Sequence, residues 1–190
     1  MKVVMVGVGA LGSHVLSMCR NLEVSWKVID FDRVEQKNVA SQMHTKMSLG
    51  RNKAQAIQQS MMGFYGLKID AVPHKLTAEN VEQLLGDADL VLDCVDNGAT
   101  RRIIQDFAKA RGIACLHGGL SADGHFGRVM WSEMFVIDDE SVVGQPTCEG
   151  GEHLGFINLV SSVMAMCAQA FIKDGKRTSW HVFPAGMRSF

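Results

Sequence analysis

Residues 2–32 constrain the fold most, because they read as a strand, a glycine turn, a helix and a second strand that ends in an acid. The apolar run at residues 3–6 predicts a strand buried on both faces of a parallel sheet. Gly7, Gly9 and Gly12 then form G-x-G-x-x-G where a helix must begin. In this motif the first glycine permits the turn, the second lets a phosphate approach the backbone, and the third allows close helix packing.

The helix that follows the glycines predicts an anion site, since its free amides and partial positive charge favour phosphate. Asp30 ends the next apolar strand, which contains Trp26, Val28 and Ile29. A carboxylate at that point can accept hydrogen bonds from ribose hydroxyls. The segment therefore predicts nucleotide binding, and the alternative is that the glycines serve close packing alone.

Bulk composition narrows the function classes. A chain of 190 residues predicts one domain, spanning residues 1–190. The net charge of -1 gives no electrostatic reason to expect a nucleic-acid partner, and no apolar run looks long enough to span a bilayer. The five cysteines are odd in number and form no C-x-x-C pair, which favours reduced thiols in a cytoplasmic protein.

The remaining sequence alternates between helix and strand patterns. Residues 33–45 predict an irregular arm over the nucleotide site. Ser48 predicts the N-cap of a helix reaching about Met62 and ended by Gly63 and Gly66, and Thr77 the N-cap of a short helix. Apolar runs predict strands at residues 67–72, 88–95, 113–117 and 128–131.

The last third predicts a helix that Asn97 caps, a long apolar helix at residues 154–173 and a final edge strand at residues 180–183. The fold class is therefore α/β, a Rossmann-like doubly wound, mainly parallel sheet with a C-terminal helix and edge strands. Residues 133–153 predict a long functional loop, which holds Cys148.

Several motifs in order resemble the ThiF/MoeB/HesA adenylyltransferases, prokaryotic relatives of the ubiquitin-activating enzymes. The resemblance covers residues 1–173. The matching residues are Gly7, Gly9, Leu11, Gly12, Asp30, Asp32, Asn38, Gln42, Lys53 in G-x-x-K-A, and Asp96 and Asn97 in D-C-x-D-N. Thr147-Cys148-Glu149, followed by Gly155 and an apolar helix, resembles the family's T-C-x-x-x-G stretch.

The resemblance implies activation of a carboxylate by ATP, which yields an acyl-adenylate and pyrophosphate. It places catalysis at Lys53 and Asp96, and nucleotide binding at Asp30 with Asp32 and Asn38 nearby. A fixed lysine charge offsets phosphate charge, and a carboxylate at a strand end can hold Mg²⁺. The alternatives are a solvated helix lysine for Lys53, a helix-capping acid for Asp96 and turn roles for the others.

The remaining expected nucleotide-binding residues are Gly7, Gly9, Leu11, Gly12, Gln42 and Asn97. Cys148 is a candidate acceptor of the activated acyl group or sulfur, as in ThiF-like relatives. Its acidic neighbours, Glu149 and Glu152, argue against a resting thiolate, which leaves a plain loop or capping role open.

The chain departs from the family pattern in three places. Ser41 stands where the family has an arginine, and serine cannot make a forked cationic contact to phosphate. Members usually carry another arginine ahead of the first strand, where this sequence starts. Paired zinc cysteines are missing, so we expect no structural zinc. Compensating cations could be Arg33, Arg51, Arg101 or Arg102.

Four functions remain open at this point. The first is adenylation of the C-terminus of a ubiquitin-like or sulfur-carrier protein. The second is adenylation of a small-molecule carboxylate in cofactor biosynthesis, as in assembly of the iron-guanylylpyridinol cofactor. The others are an NAD-dependent oxidoreductase and a non-catalytic nucleotide-binding module. The resemblance also predicts a homodimer, with neither nucleic acid nor membrane as partner.

Overall fold

The computed structural model describes residues 1–137 and 151–190, which form one sheet with helices on both faces. The strands are β1 (Lys2–Val6), β2 (Ser25–Ile29), β3 (Ile69–Val72), β4 (Leu90–Asp93), β5 (Ala114–Leu120), β6 (Gly127–Trp131), β7 (Trp180–Phe183) and β8 (Gly186–Ser189). The helices are α1 (Ala10–Met18), α2 (Lys53–Tyr65), α3 (Val81–Leu85), α4 (Gly98–Arg111) and α5 (Leu154–Asp174).

The strand order is β3-β2-β1-β4-β5-β6-β7-β8, with β1 to β5 parallel and β6 to β8 added in antiparallel pairs. The chain reverses its direction of winding between β1 and β4, whose carboxyl ends meet at Val6 and Asp93. Ligands of doubly wound sheets bind in the crevice at that switch point. The predicted fold class is confirmed.

The core lies on both faces of the sheet, which explains the unbroken apolar run in β1. Val3 and Met5 join the larger cluster, where α1, α2 and α5 pack, while Val4 and Val6 join the cluster under α3 and α4. Alternate residues of a strand point to opposite faces, so a strand covered on both sides must be apolar throughout. The sheet thereby fixes β1, and with it the start of the glycine loop.

The expectation that no segment could span a bilayer was wrong by length and composition. α5 is 21 residues long and apolar enough to cross a membrane, and 44% of its most apolar window is buried. Here one face of α5 packs on α1 and the sheet through Ile157, Val160 and Met164, all fully buried. A helix packed deep in a core and a membrane-spanning helix can have equally apolar sequences of similar length.

Two of the predicted helix caps were wrong, and in each case the cap lies a few residues later. α2 begins after Asn52, whose side-chain oxygen accepts from the Gln55 amide at 3.1 Å, while Ser48 ends a short 3₁₀ turn. α3 begins after Asn80, whose side chain makes no capping hydrogen bond and instead accepts from the preceding Thr77 amide at 2.8 Å. Asn97 caps α4 as predicted.

The boundaries at two other places also differ from the predictions. α2 continues through Gly63 and ends at Gly66, whose φ of 66° is the left-handed conformation that glycine favours. β7 is not the last edge strand, because β8 pairs with it antiparallel and takes the edge.

Candidate functional site

The three motif glycines have different neighbours. A β-carbon at Gly7, where φ is 87°, would lie 2.8 Å from the Cys94 carbonyl oxygen, and one at Gly12 would lie 2.0 Å from that of Gly7. At Gly9 a β-carbon would meet only the Gln42 amide nitrogen, at 3.9 Å. Packing therefore explains the outer glycines, whereas the middle one leaves the backbone open to a ligand.

The Val8 peptide, inside the glycine loop, is held on both sides. Its N–H donates to Asp30 Oδ2 at 2.8 Å, and its carbonyl accepts from His44 Nε2 at 2.9 Å. The second Asp30 oxygen accepts from the Asp32 amide at 2.9 Å. Burial raises the pKa of the Asp30 carboxyl, although the Val8 hydrogen bond and the Lys53 charge oppose that rise. Asp30 thus fixes the loop, with lone pairs left for a ligand.

His44 is a site residue that sequence reasoning missed. Because the Val8 carbonyl can only accept, His44 Nε2 must carry the hydrogen, so Nδ1 of the neutral ring is an acceptor. Nδ1 of His44 and Oε1 of Gln42 are both buried without a hydrogen-bond partner among the residues described. Two such acceptors beside the loop suit the hydroxyl or amino groups of a nucleotide. No spacing pattern distinguishes His44 from the other histidines.

Lys53 is the first residue of α2, and it lies inside the site and is not a solvated helix lysine. Its backbone N–H donates to the Asp32 carbonyl at 2.8 Å, and its Nζ lies 3.1 Å from Asp32 Oδ2. The Lys53 side chain is only 10% exposed. Asn52 Nδ2 donates to the Asp30 carbonyl at 2.8 Å and so ties the start of α2 to the end of β2. Asp32 is therefore the partner of Lys53.

Other residues of the predicted arm hold its shape. Asn38 Oδ1 accepts from the Glu35 amide at 2.8 Å within a 3₁₀ turn. Ser41, in the place of the family arginine, is fully buried, and its carbonyl lies 3.0 Å from His14 Nε2. The arm docks on α1 where the Met43 amide donates to Ser13 Oγ at 3.1 Å. It lies over the glycine loop, as predicted.

Three of the four arginines proposed as substitutes have partners outside the glycine loop, and Arg102 is exposed on α4. Arg101 is buried against Asp93 at 3.5 Å. Arg33 donates to the Gly50 carbonyl at 2.7 Å and Arg51 to Gln59 Oε1. Arg33 and Arg51 instead flank a cleft of about 490 Å³ beside the Asn52 end of α2.

Asp96 lies in the turn between β4 and α4, next to the crevice. It is exposed, and no hydrogen bond or ion pair reaches it from the part of the chain that the structure describes. Asn97 Oδ1, by contrast, is engaged with the Thr100 amide at 2.9 Å. Within residues 1–137 and 151–190, no three His, Cys, Asp or Glu side chains form a metal cluster. One free carboxylate fits Mg²⁺, which binds through one or two carboxylates plus phosphate oxygens and water.

Two further predicted residues have a different status. The Leu11 side chain is 5% exposed and packs in the core against the position of Gly118, so only its backbone can serve a ligand. Cys148 lies outside the described residues, and its role as acyl or sulfur acceptor stays a prediction. The described cysteines, Cys19, Cys94, Cys115 and Cys167, are free thiols and buried.

Comparison with known sequences gives one family and several relatives. The sequence model of the ThiF family matches residues 1–173. An "Adenylyltransferase and sulfurtransferase UBA4" of Lodderomyces elongisporus is 31% identical over 87% of this chain and 39% of its own length. A "Sulfur carrier protein adenylyltransferase" of Thermus thermophilus is 35% identical over 63% of this chain and 45% of its own. The chain spans less than half the length of these curated relatives.

Solved structures agree in fold. Escherichia coli MccB solved with ATP has a TM-score of 0.79 at 12% identity, and covers all of this chain and 62% of its own. PaaA has a TM-score of 0.76 at 16% identity, with coverage of 100% and 62%. At such identities the likeness concerns the fold alone.

Proposed function

The chain belongs to the ThiF family, and on that premise we propose that it is an ATP-dependent adenylyltransferase that activates a carboxylate. ATP supplies the adenylyl group and pyrophosphate as leaving group, and Mg²⁺ offsets phosphate charge. The open backbone at Gly9 accommodates a phosphate, and Asp30 accepts from the ribose. Lys53 places a cation against the phosphates, and Asp96 holds Mg²⁺.

One observation carries the proposal: three complementary groups follow the carboxyl ends of the neighbouring parallel strands β1, β2 and β4, the lysine through its contact with Asp32 after β2. These groups are an accessible glycine backbone, a buried lysine and a carboxylate that has no partner within residues 1–137 and 151–190. Attack on an α-phosphate requires charge compensation and an in-line arrangement, which fixed groups of this kind provide. An NAD-dependent oxidoreductase would use the glycine loop and Asp30 but gives no role to Lys53 and Asp96.

We propose the C-terminal carboxylate of a small ubiquitin-like or sulfur-carrier protein as the substrate. Support comes from the relatives, which include a "Sulfur carrier protein ThiS adenylyltransferase" of Bacillus subtilis, 32% identical over 62% of this chain and 36% of its own length. The structural neighbour solved with ATP supports the choice of nucleotide. A small-molecule carboxylate would use the same chemistry at the same groups.

The test is exchange of labelled pyrophosphate into ATP, driven by a carrier protein that ends in diglycine. Asp96→Ala should lower exchange at least about a hundredfold, since metal and phosphate contacts of this kind contribute several kcal/mol to the transition state. Lys53→Ala should lose a similar factor. Asp106→Ala and Lys109→Ala, at exposed positions on α4, should exchange normally.

Near-normal exchange by Asp96→Ala would refute the assignment of that residue. Exchange with a small carboxylic acid but not with the carrier would keep the chemistry and change the substrate. Binding of ATP with no exchange for any carboxylate would indicate a nucleotide-binding module without catalysis.

A further inference from the structure

A second polar array lies beneath the proposed Mg²⁺ site, and the proposed function makes no use of it. Asp93, the last residue of β4, faces its register partner His117 on β5, and Asp93 Oδ2 lies 2.6 Å from His117 Nδ1. On the far side of the ring, His117 Nε2 lies 2.6 Å from the Oγ of Ser132, which follows β6. Asp93 and His117 are fully buried and Ser132 is 5% exposed.

Arg101 of α4 completes this array. Its Nη1 lies 3.5 Å from Asp93 Oδ2, and its Nη2 donates to the Gly118 carbonyl at 2.9 Å. Burial alone would raise the pKa of the Asp93 carboxyl, but the Arg101 charge and the His117 hydrogen bond hold it below its usual value. Asp93 is thus an ionised acceptor at neutral pH. We call these four residues the Asp93 network: Asp93, His117, Ser132 and Arg101.

The order Asp-His-Ser resembles the arrangement of hydrolytic enzymes, but no substrate can reach it. Phe135 stacks on the His117 ring with 4.5 Å between centroids, and the Arg101 guanidinium lies 5.1 Å from the Phe135 ring. A nucleophilic serine needs an approach path and an oxyanion site. Here the hydroxyl is enclosed, so the array must act on the protein itself.

The Asp93 network forms hydrogen bonds to the backbone of the turn that carries Asp96. Asp93 Oδ1 accepts from the Val95 amide at 3.0 Å, and Arg101 Nη2 donates to the Val95 carbonyl. On one side of Val95, the Cys94 amide donates to the Val6 carbonyl at 2.9 Å. The Asp93 network therefore holds both the N–H and the carbonyl of Val95. The next residue is Asp96, whose exposed carboxylate has no partner in the part of the chain that the structure describes.

We propose that the Asp93 network is a positioning device that holds Asp96 in the orientation needed to bind a divalent cation. The inference rests on the proposed function, because it takes Asp96 as the cation ligand. Partners behind a metal ligand typically orient it and change metal affinity when removed. Here the network would orient Asp96 through the backbone of Val95, because the Asp96 side chain has no partner among the described residues.

The test measures equilibrium binding of ATP by titration calorimetry, once with Mg²⁺ and once with a chelator, so it needs no turnover. The dissociation constant of ATP in chelator divided by that in Mg²⁺ reports how much the cation contributes to binding. Wild type should show a large ratio and Asp96→Ala a ratio near one. His117→Ala and Ser132→Ala should lower the ratio, by roughly tenfold for His117→Ala, with the metal-free affinity unchanged.

Three controls distinguish a specific effect on cation binding from general damage to the fold. His117→Asn retains an amide donor for Asp93 and should recover most of the ratio. His125→Ala changes an exposed histidine and should match wild type. Circular dichroism and thermal midpoints show whether each variant is folded, and Ser132→Ala, which removes only a hydroxyl, gives the answer if His117→Ala does not fold.

Two failures are distinguishable. If wild type shows no cation-dependent gain, or Asp96→Ala keeps it, the proposed metal role fails. If Asp96→Ala loses the gain while folded His117→Ala and Ser132→Ala keep it in full, the Asp93 network is structural only. Equal losses of affinity with and without Mg²⁺ would also reject positioning, because that pattern indicates general damage.

Discussion

Neighbouring positions in the glycine motif have separable roles. Gly12→Ala should destabilise the fold by roughly 1–3 kcal/mol or more, because the new methyl would overlap the Gly7 carbonyl oxygen. Gly9→Ala should unfold like wild type in urea but bind ATP weakly, since its methyl faces open space that a phosphate would need. Titration with ATP, beside NAD, measures the binding. Full ATP affinity in Gly9→Ala would contradict a phosphate at this position.

Two buried histidines make stability depend on pH. Burial lowers the pKa of both His14 and His44 from 6.5, although hydrogen bonds to the Ser41 and Val8 carbonyls oppose that shift. The native state therefore binds these protons less tightly than the unfolded chain. Their contribution is fully present above pH 6.5 and is lost as the pH falls below that value toward the native pKa.

We therefore expect the free energy of unfolding in urea to fall between about pH 7.5 and about pH 5.5. Replacing both His14 and His44 by glutamine, which keeps an N–H donor, should flatten that dependence. His125→Gln, at an exposed position, should leave it unchanged. A double variant as steep as wild type would show that other groups set the slope.

Among the helices, α2 has its start held by both polar atoms of the Asn52 side chain. Asn52 caps the helix through its oxygen and reaches back to the Asp30 carbonyl through its nitrogen. Asn52→Ala should lower stability by about 1 kcal/mol or somewhat more, the usual loss for an N-cap. Asn52→Ser keeps a side-chain oxygen for the cap and removes the amide donor to the Asp30 carbonyl. Urea unfolding of both variants separates the two effects, and equal stabilities would mean that the cap contributes nothing.

The local sequence pattern was sufficient to predict those elements whose boundaries are marked by their own residues. β1, the glycine loop and β2 follow from a short apolar run, a turn and an acid. Ser48 and Asn52 are both good caps, and the choice between them depends on the contact of Asn52 with residue 33 across the arm. β8 has no alternating pattern, and it forms because β7 offers a pairing edge.

The residues of the candidate site also fall into those that local sequence predicts and those that it does not. Lys53 and Asp96 stand in recognisable motifs, whereas His44 and His117 depend on partners far along the chain, at Val8 and Asp93. Only the register of the sheet brings Asp93 opposite His117. A polar residue within an apolar strand gives no sign of the partner that satisfies it.

At the scale of the whole molecule, we predict a homodimer, as the family resemblance implies. The outward side of α5 carries Leu159 and Ala170, half-buried, and Met166, half-exposed, at helical spacing. Met166→Glu should shift sedimentation toward monomer, because it places a charge in this apolar stripe. Met47→Glu, at a position 91% exposed and away from α5, is the matched control. A wild type that sediments as a monomer at every concentration would refute the dimer.

The pairing of Lys53 with Asp32 bears on which ligands the site selects. The lysine charge already faces an anion, held 3.1 Å away at the end of β2. Arrival of a phosphate is then an exchange of one anion for another rather than the capture of an anion by a bare cation. The site should therefore select for ligands that displace a tethered carboxylate, and stray chloride or sulfate should compete poorly at it.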